Sequence, residues 1–237
     1  MPLTRDQSST LQRLFPGDAC LLAPEAAAPF GADASRAFVQ PWAVVRPGSL
    51  EQVRDLLAFA HAERIPLFPR GRATNQVGDC VPTGGGIVVS TLLLDSLEID
   101  PEDFVAVAGP GAVTSELAAR AEAQGLFYPP DPASAGYSTL GGIAATCAGG
   151  MRAVKYGVTR DYVLGLSAAL PGGRIIRPGG RCHTDVSGLD LTRLFVGSGG
   201  SLGIITKLTL KLLPLPEAQA SLLAAFADMD AALEAAQ

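Results

Sequence analysis

An α+β fold is what this sequence predicts, and three observations predict it. Residues 42–69 read strand, helix, strand; residues 161–214 read as a hairpin followed by a long apolar strand; and three glycine-rich stretches sit beside strand-like segments. Strands outnumber helices.

In chain order, the first forty residues hold a short amphipathic segment, "SSTLQRLFPG", and an Ala/Pro loop, "LLAPEAAAPFGADASRAF", and are expected as an N-terminal extension. "AVV" begins the ordered part as a strand. Ser49 and Gln52 fit a capping box, and Val53, Leu56, Leu57 and Ala60 then share one helical face, so a helix is expected over 50–63. "IPLFPRG" returns as a strand, and "IVVS" and "FVAVA" are two more. Thr114 or Ser115 is expected to cap the helix "SELAARAEAQG", which Gly125 closes. "DYVLGLSAALPGGRIIRPG" is a hairpin turning at Gly172-Gly173, and "SLGIITKLTLKLLP" is a long strand. "ASLLAAFADMDAALEAAQ" reads as a new strand and then a helix from near Asp228 that runs to Gln237, the expected start of a further domain in a truncated chain.

Composition narrows the function. With 48% hydrophobic and 17% charged residues the chain is globular, and a net charge of −5 gives no basic stripe for nucleic acid. Cys20, Cys80, Cys147 and Cys182 are scattered, without CxxC pairing or a His at ligand spacing, which reads as reduced thiols in a cytoplasmic protein without a bound metal. "MPLTRDQSSTLQRLF" is too polar for a signal peptide, and no uninterrupted apolar run is long enough to span a membrane.

The stretch "FYPPDPASAGYSTLGGIAATCAGG" (127–150) carries one charge, Asp131, and its prolines and glycines forbid a long helix or an ordinary strand. With "PRGRATNQVG" (69–78) and "GSGGSLGIIT" (197–206) it offers backbone N–H groups that no large side chain shields. Such groups suit a diphosphate where basic side chains are few. Arg70, Arg72, Arg152, Lys155 and Arg160 flank the first two loops, and Tyr156 stands ready to frame a ring or to pack in the core. "GPGAVTSE" (109–116) is the competing nicotinamide-binding fingerprint, with Gly109 and Gly111 but Thr114 at the third glycine position; a plain turn explains it better. Neither His61 nor His183 lies in a catalytic motif, so no catalytic residue is assigned.

Taken together, "PWAVVRPGSLEQVRDLLAFAHAERIPLFPRGRATN", "GGGIVVS", "GLFYPPDPASAGYSTLGGIAATCAGG", "RAVKYGVTRDYVLGL" and "LFVGSGGSLGIITKLTLKLLPLP" resemble the flavin-binding domain of the vanillyl-alcohol-oxidase/PCMH superfamily. The nearest likeness is the glycolate oxidase and D-lactate dehydrogenase branch of FAD-linked oxidases, over about residues 40–216. The resemblance implies a two-lobed PCMH-type FAD-binding domain with mixed sheets and flanking helices, spanning 41–216 with lobes of about 41–100 and 101–216, and FAD between the lobes. It implies that Arg70, Gly71, Arg72, Ala73, Thr74 and Asn75, continued by Val77 and Gly78, surround the pyrophosphate, and that Pro130, Asp131 and Ser134 run along the cofactor. Ser138, Thr139, Leu140, Gly141, Gly142, Thr146, Gly149 and Gly150 are implied to line the flavin and ribityl region, with Gly157 and Ile205 touching the isoalloxazine or adenine side.

Departures from the family pattern sharpen these expectations. Ala73 and Asn75 replace two glycines of the usual R-G-x-G-T-G, and no His stands in that loop, which implies noncovalent FAD. Ile143 and Cys147 replace the two asparagines of GGN-x-A-x-NAGG, and Gly199 stands where a Glu is usual. The implied activity is hydride transfer from a small 2-hydroxy acid such as glycolate or D-lactate to flavin N5, with electrons passing to an iron–sulfur or other electron-transfer partner. A cytoplasmic location is implied, with peripheral attachment at the inner membrane face left open. A flavin-binding module without activity of its own is the alternative within the same family; an NAD-binding Rossmann protein is the alternative from another class.

Overall fold

A computed structural model describes residues 2–220 and 222–236. Helix α1 (Arg5–Leu14) starts earlier than the amphipathic pattern suggests, because Thr4 and Gln7 form a reciprocal capping box: the Thr4 hydroxyl accepts from the Gln7 N–H at 3.2 Å and the Gln7 side chain accepts from the Thr4 N–H at 2.9 Å. The Ala/Pro segment that follows is not a plain loop. It holds strand β1 (Cys20–Leu21) and a single helical turn, α2 (Pro24–Ala27), opened by Pro24, whose fixed φ suits a first helical position.

Strand β2 (Ala43–Val45), helix α3 (Leu50–Ala62), strand β3 (Leu67–Arg70) and strand β4 (Ile87–Ser90) complete the first lobe. The sheet order is β1-β2-β4-β3, with β2 and β3 both parallel to β4 and β1 antiparallel to β2. Both central strands are buried throughout, as "AVV" and "IVVS" suggest for strands covered on two faces. At the start of α3 the Ser49 hydroxyl accepts from the Gln52 N–H, but the Gln52 side chain reaches back to the N–H of Gly48 rather than Ser49. Leu11 and Phe15 are fully buried against Val53, Leu56 and Ile87, each worth about 1.5–3 kcal/mol of burial, so the first forty residues are part of this lobe and not an extension.

The second lobe is antiparallel. Strand β5 (Leu97–Asp100) already belongs to it, so the chain changes lobes at 91–96, a little before residue 100. Then come β6 (Val105–Ala108), α4 (Thr114–Glu122), β7 (Leu126–Phe127), α5 (Leu140–Thr146), α6 (Ala153–Tyr156), β8 (Val163–Ala169), β9 (Ile175–Ile176), α7 (Leu191–Phe195), β10 (Ile204–Lys211), β11 (Leu213–Pro214) and α8 (Met229–Ala236). The five-stranded sheet runs β5-β6-β10-β8-β9, and β7 pairs with β11. Gly172 and Gly173 turn the β8–β9 hairpin with φ of 82° and 84°, a conformation that excludes most other residues.

Three expectations fail here. Neither Thr114 nor Ser115 caps α4: the Thr114 hydroxyl donates to Ser138 O at 3.1 Å, and the loop backbone takes the N–H groups of Thr114 and Ser115, so no side-chain cap is needed. The nicotinamide reading of "GPGAVTSE" falls because β6 has only antiparallel neighbours, whereas that fingerprint needs a parallel βαβ unit. Its glycines serve packing instead, since a Cβ on Gly111 would lie 2.5 Å from Thr91 O and one on Gly109 would run into Leu94 O. Finally, no strand forms over the described residues 222–228 of the "ASLLAAF" segment (Ser221 lies outside the described residues), although α8 does start where expected, with the Asp228 carboxylate accepting from the Ala231 N–H at 2.9 Å.

Candidate functional site

A cleft of ≈ 330 Å³ opens between the two lobes. One wall is the loop that leaves the C-terminal end of β3, where ligands gather in parallel α/β units. The other is built from α5 with the loop behind it and from the glycine-rich turn that precedes β10.

Among the expected site residues, Arg70, Gly71, Arg72, Ala73, Thr74, Asn75, Val77, Ser134, Thr139, Gly141, Gly142, Thr146, Gly149 and Ile205 line this cleft. Gly78, Pro130, Asp131, Ser138, Leu140, Gly150 and Gly157 do not. Pro130, Ser138 and Leu140 are buried. Asp131 pairs with Arg152 at 3.4 Å and accepts its N–H at 3.2 Å. Gly150 and Gly157 are glycine for steric reasons: a Cβ on the first would strike Asp131 O, and one on the second would strike the Asp161 carboxylate at a φ of 84°. Gly78 takes φ 83° and donates to the Asn75 side chain at 3.2 Å, closing the first loop.

The backbone of that loop is the main chemical feature. Asn75 Oδ1 accepts from the N–H groups of Val77 and Gly78, as an Asx turn does. Among the described residues, the six preceding N–H groups, Gly71 to Gln76, donate to no protein acceptor. None of these six residues is buried, so water can serve the N–H groups, and a run of six facing a cleft is a ready cradle for an anion that displaces it. Ala73 holds φ 53° within it, a left-handed conformation that costs a residue with a Cβ about 1 kcal/mol or more.

The two arginines of the loop divide their work. Arg70 is committed to structure, donating to Ala32 O at 2.5 Å and Pro29 O at 3.4 Å while lying 5.6 Å from the ring centre of Phe30. Arg72 is exposed and, among the described residues, makes no ion pair. It is a cation of the cleft lining left without an ion-pair partner among the described residues.

The start of α5 contributes contact rather than charge. Its first N–H groups are taken by Ala112 O, Pro110 O and the Thr139 hydroxyl. Its C-terminus turns at Cys147, with φ 50° and ψ 51°. Cys147 is not among the residues that line the cleft, while Ile143 is.

Sequence reasoning missed several cleft residues. Gly199, Gly200 and Gly203 carried a signal, since the third glycine-rich stretch contains them, but Asp79, Cys80, Thr91 and Pro110 carried none. Burial, offset in part by Arg70 and Asn75, pushes the Cys80 thiol up; burial and then the charge of Asp33 push the Asp79 carboxyl up. Neither histidine lines the cleft. His61 lies on a separate surface groove beside α3, and His183 is exposed against Asp103 O.

Comparison with known proteins agrees with this geometry. Residues 41–179 match the model of an FAD binding domain. The chain is 46% identical to the glycolate oxidase subunit GlcD of Bacillus subtilis over 195 residues, which is 82% of this chain and 42% of that protein. It is 42% identical to a D-lactate dehydrogenase of Anaerostipes hadrus over 192 residues, 81% of this chain and 40% of the relative. It thus spans about two fifths of the curated relatives it matches. Among solved structures, alkyldihydroxyacetonephosphate synthase superposes with a TM-score of 0.77 at 25% identity, covering 92% of this chain and 45% of that one. The match covers both lobes, and with it the cleft between them. The chain belongs to the FAD binding domain family.

Proposed function

We propose that this chain is the flavin-binding part of an FAD-dependent oxidoreductase acting on the CH–OH group of a small 2-hydroxy acid of the glycolate or D-lactate kind. The observation that carries the reading is the run of six unpaired N–H groups, Gly71 to Gln76, on a cleft whose other walls are mostly glycine, alanine and threonine, with Ile143, Ile204 and Ile205 among them. Backbone donors suit a diphosphate, and small residues leave room for a broad ring, so the residues present fit FAD.

When bound, FAD supplies a hydride acceptor. The chain's own residues hold and orient it. Arg72 neutralises diphosphate charge, Asn75 fixes the curvature of the cradle, and Gly141, Gly142, Thr146 and Gly149 form the slot on the opposite wall. Pro130, Asp131, Gly150 and Gly157 act one layer behind, shaping the loops that touch the cofactor. With no His in the first loop, attachment is noncovalent. Oxidation of the substrate carbinol to a carbonyl also releases a proton, and no histidine reaches the cleft to take it. We assign that step to groups outside these loops. An iron–sulfur or other electron-transfer partner, and a cytoplasmic setting consistent with four free thiols, belong to the same reading.

The lack of a histidine at the cleft also favours a second reading, a binding module that holds flavin without turning over substrate. The absorbance spectrum of the purified chain tests both. Bound flavin that bleaches on anaerobic addition of D-lactate or glycolate supports the enzyme; flavin that stays oxidised supports the module. A colourless protein that takes up no added FAD overturns both, whereas unchanged FAD affinity in Gly142→Asp, which puts bulk and negative charge on the slot wall, counts against this cleft as the flavin site.

A further inference from the structure

The Asp79 carboxylate lies over Gly199. A Cβ built on Gly199 would be 3.0 Å from Asp79 Cγ and Oδ2 and 3.2 Å from Oδ1, so a glycine at 199 is what lets this carboxylate rest there. Asp79 comes from the first lobe and Gly199 from the second, and both line the cleft. Among the described residues Asp79 has no hydrogen bond or ion pair, although six N–H donors and Arg72 stand on the same cleft.

The cleft is therefore electrically two-ended. Its first-loop wall offers six unpaired N–H donors and the Arg72 cation; its Asp79–Gly199 rim offers a charged acceptor. An ionised carboxylate accepts hydrogen bonds and donates none, so it repels a diphosphate and matches a hydroxyl or N–H. A dinucleotide with an anionic centre and donor-bearing arms complements both ends at once.

We propose, resting on the flavin reading above, that Asp79 is a cofactor-binding residue that accepts a hydrogen bond from a hydroxyl or N–H donor of FAD. Burial and the charge of Asp33 raise its pKa, as expected for a carboxylate whose partner arrives with the ligand. The donor belongs either to the ribityl–flavin half or to the adenosine half, and the shared chemistry is a neutral donor meeting a charged acceptor.

The test titrates the purified 237-residue chain, its Asp79→Ala and Asp79→Asn variants and Gly199→Ala with FAD, riboflavin and AMP, following flavin fluorescence and competition. Asp79→Ala is expected to weaken FAD about tenfold, the effect of one charge-assisted hydrogen bond, and Asp79→Asn less, because its amide oxygen still accepts. A matching loss for riboflavin assigns the donor to the ribityl–flavin half; a matching loss for AMP assigns it to adenosine. Should Asp79→Ala fail to fold, Gly199→Ala displaces the carboxylate and is expected to weaken FAD instead. Wild-type and variant binding FAD within twofold, or the variant binding more tightly, overturns the role of Asp79 and leaves the flavin site standing. A wild-type chain that binds none of the three ligands overturns both.

Discussion

The Thr139 hydroxyl occupies the space that a Cβ on Gly71 would need. The two residues sit on opposite walls of the cleft, which come together at this point. Gly71→Ala is expected to lower stability by about 1–3 kcal/mol, the usual cost of forcing an extra carbon into a packed contact, and to reduce FAD affinity. Thermal melting and a flavin titration check the two effects separately; an unchanged melting temperature would mean that the walls yield.

Ala73 and Cys147 hold left-handed backbone at φ 53° and 50°, conformations that glycine and asparagine accept more readily. Ala73→Gly and Cys147→Asn are each expected to gain stability, by about 0.5–1 kcal/mol, once relief of strain is set against glycine's larger unfolded-state entropy. For a chain of this size that is a rise of about 1–4 °C in melting temperature.

Arg72 and Arg70 should separate binding from folding. Arg72→Ala is expected to weaken FAD by about tenfold at low salt, with a smaller difference at high salt and no change in melting temperature, since the side chain has no structural partner. Arg70→Ala leaves the carbonyls of Pro29 and Ala32 without their donor and removes the stack on Phe30, so its main effect is lower stability. Equal loss of binding with unchanged melting in both variants would contradict this division.

Tyr128 is buried with its hydroxyl unpaired among the described residues, and burial, with Tyr162 second, pushes its pKa far up. Cys20 and Cys80 are raised by burial as well. Above about pH 9 the unfolded chain loses these protons before the folded one does, so it binds fewer, and stability falls as pH rises. Tyr128→Phe is expected to stabilise the protein by about 1 kcal/mol at neutral pH and to flatten the alkaline decline. Denaturant unfolding at pH 7 and pH 10 measures both.

What the sequence disclosed depended on how local the cause was. "IVVS", the helix of Val53, Leu56, Leu57 and Ala60, and the Gly172–Gly173 turn each follow from a pattern within a few residues, and each formed. Strand β1 did not announce itself, because two residues carry no periodicity and its existence depends on Val44 and Val45, on the far side of helix α2 and the loop after it. Most of the glycine-rich loops do meet at one cleft. Gly150 and Gly157 were legible as glycines but not as to purpose, since close approach to Asp131 and Asp161 looks in sequence like room for a ligand. Arg70 was legible as a cleft residue but not in its partners: only the fold reveals that its guanidinium also donates to Ala32 and Pro29. Asp79 gave no signal at all, because its neighbour Gly199 is 120 positions away in the chain.

The unpaired amides of Gly71 to Gln76 also make the cofactor a missing piece of the secondary structure. Without it, these six groups must be solvated by water, and their protons exchange with solvent quickly. If FAD sits on this loop as proposed, they gain acceptors, and exchange in the loop is expected to slow toward that of the strand that feeds it. A fall in deuterium uptake over this hexapeptide on adding FAD is therefore the expected sign of occupancy, read without substrate and without turnover; unchanged uptake would contradict the proposed cradle.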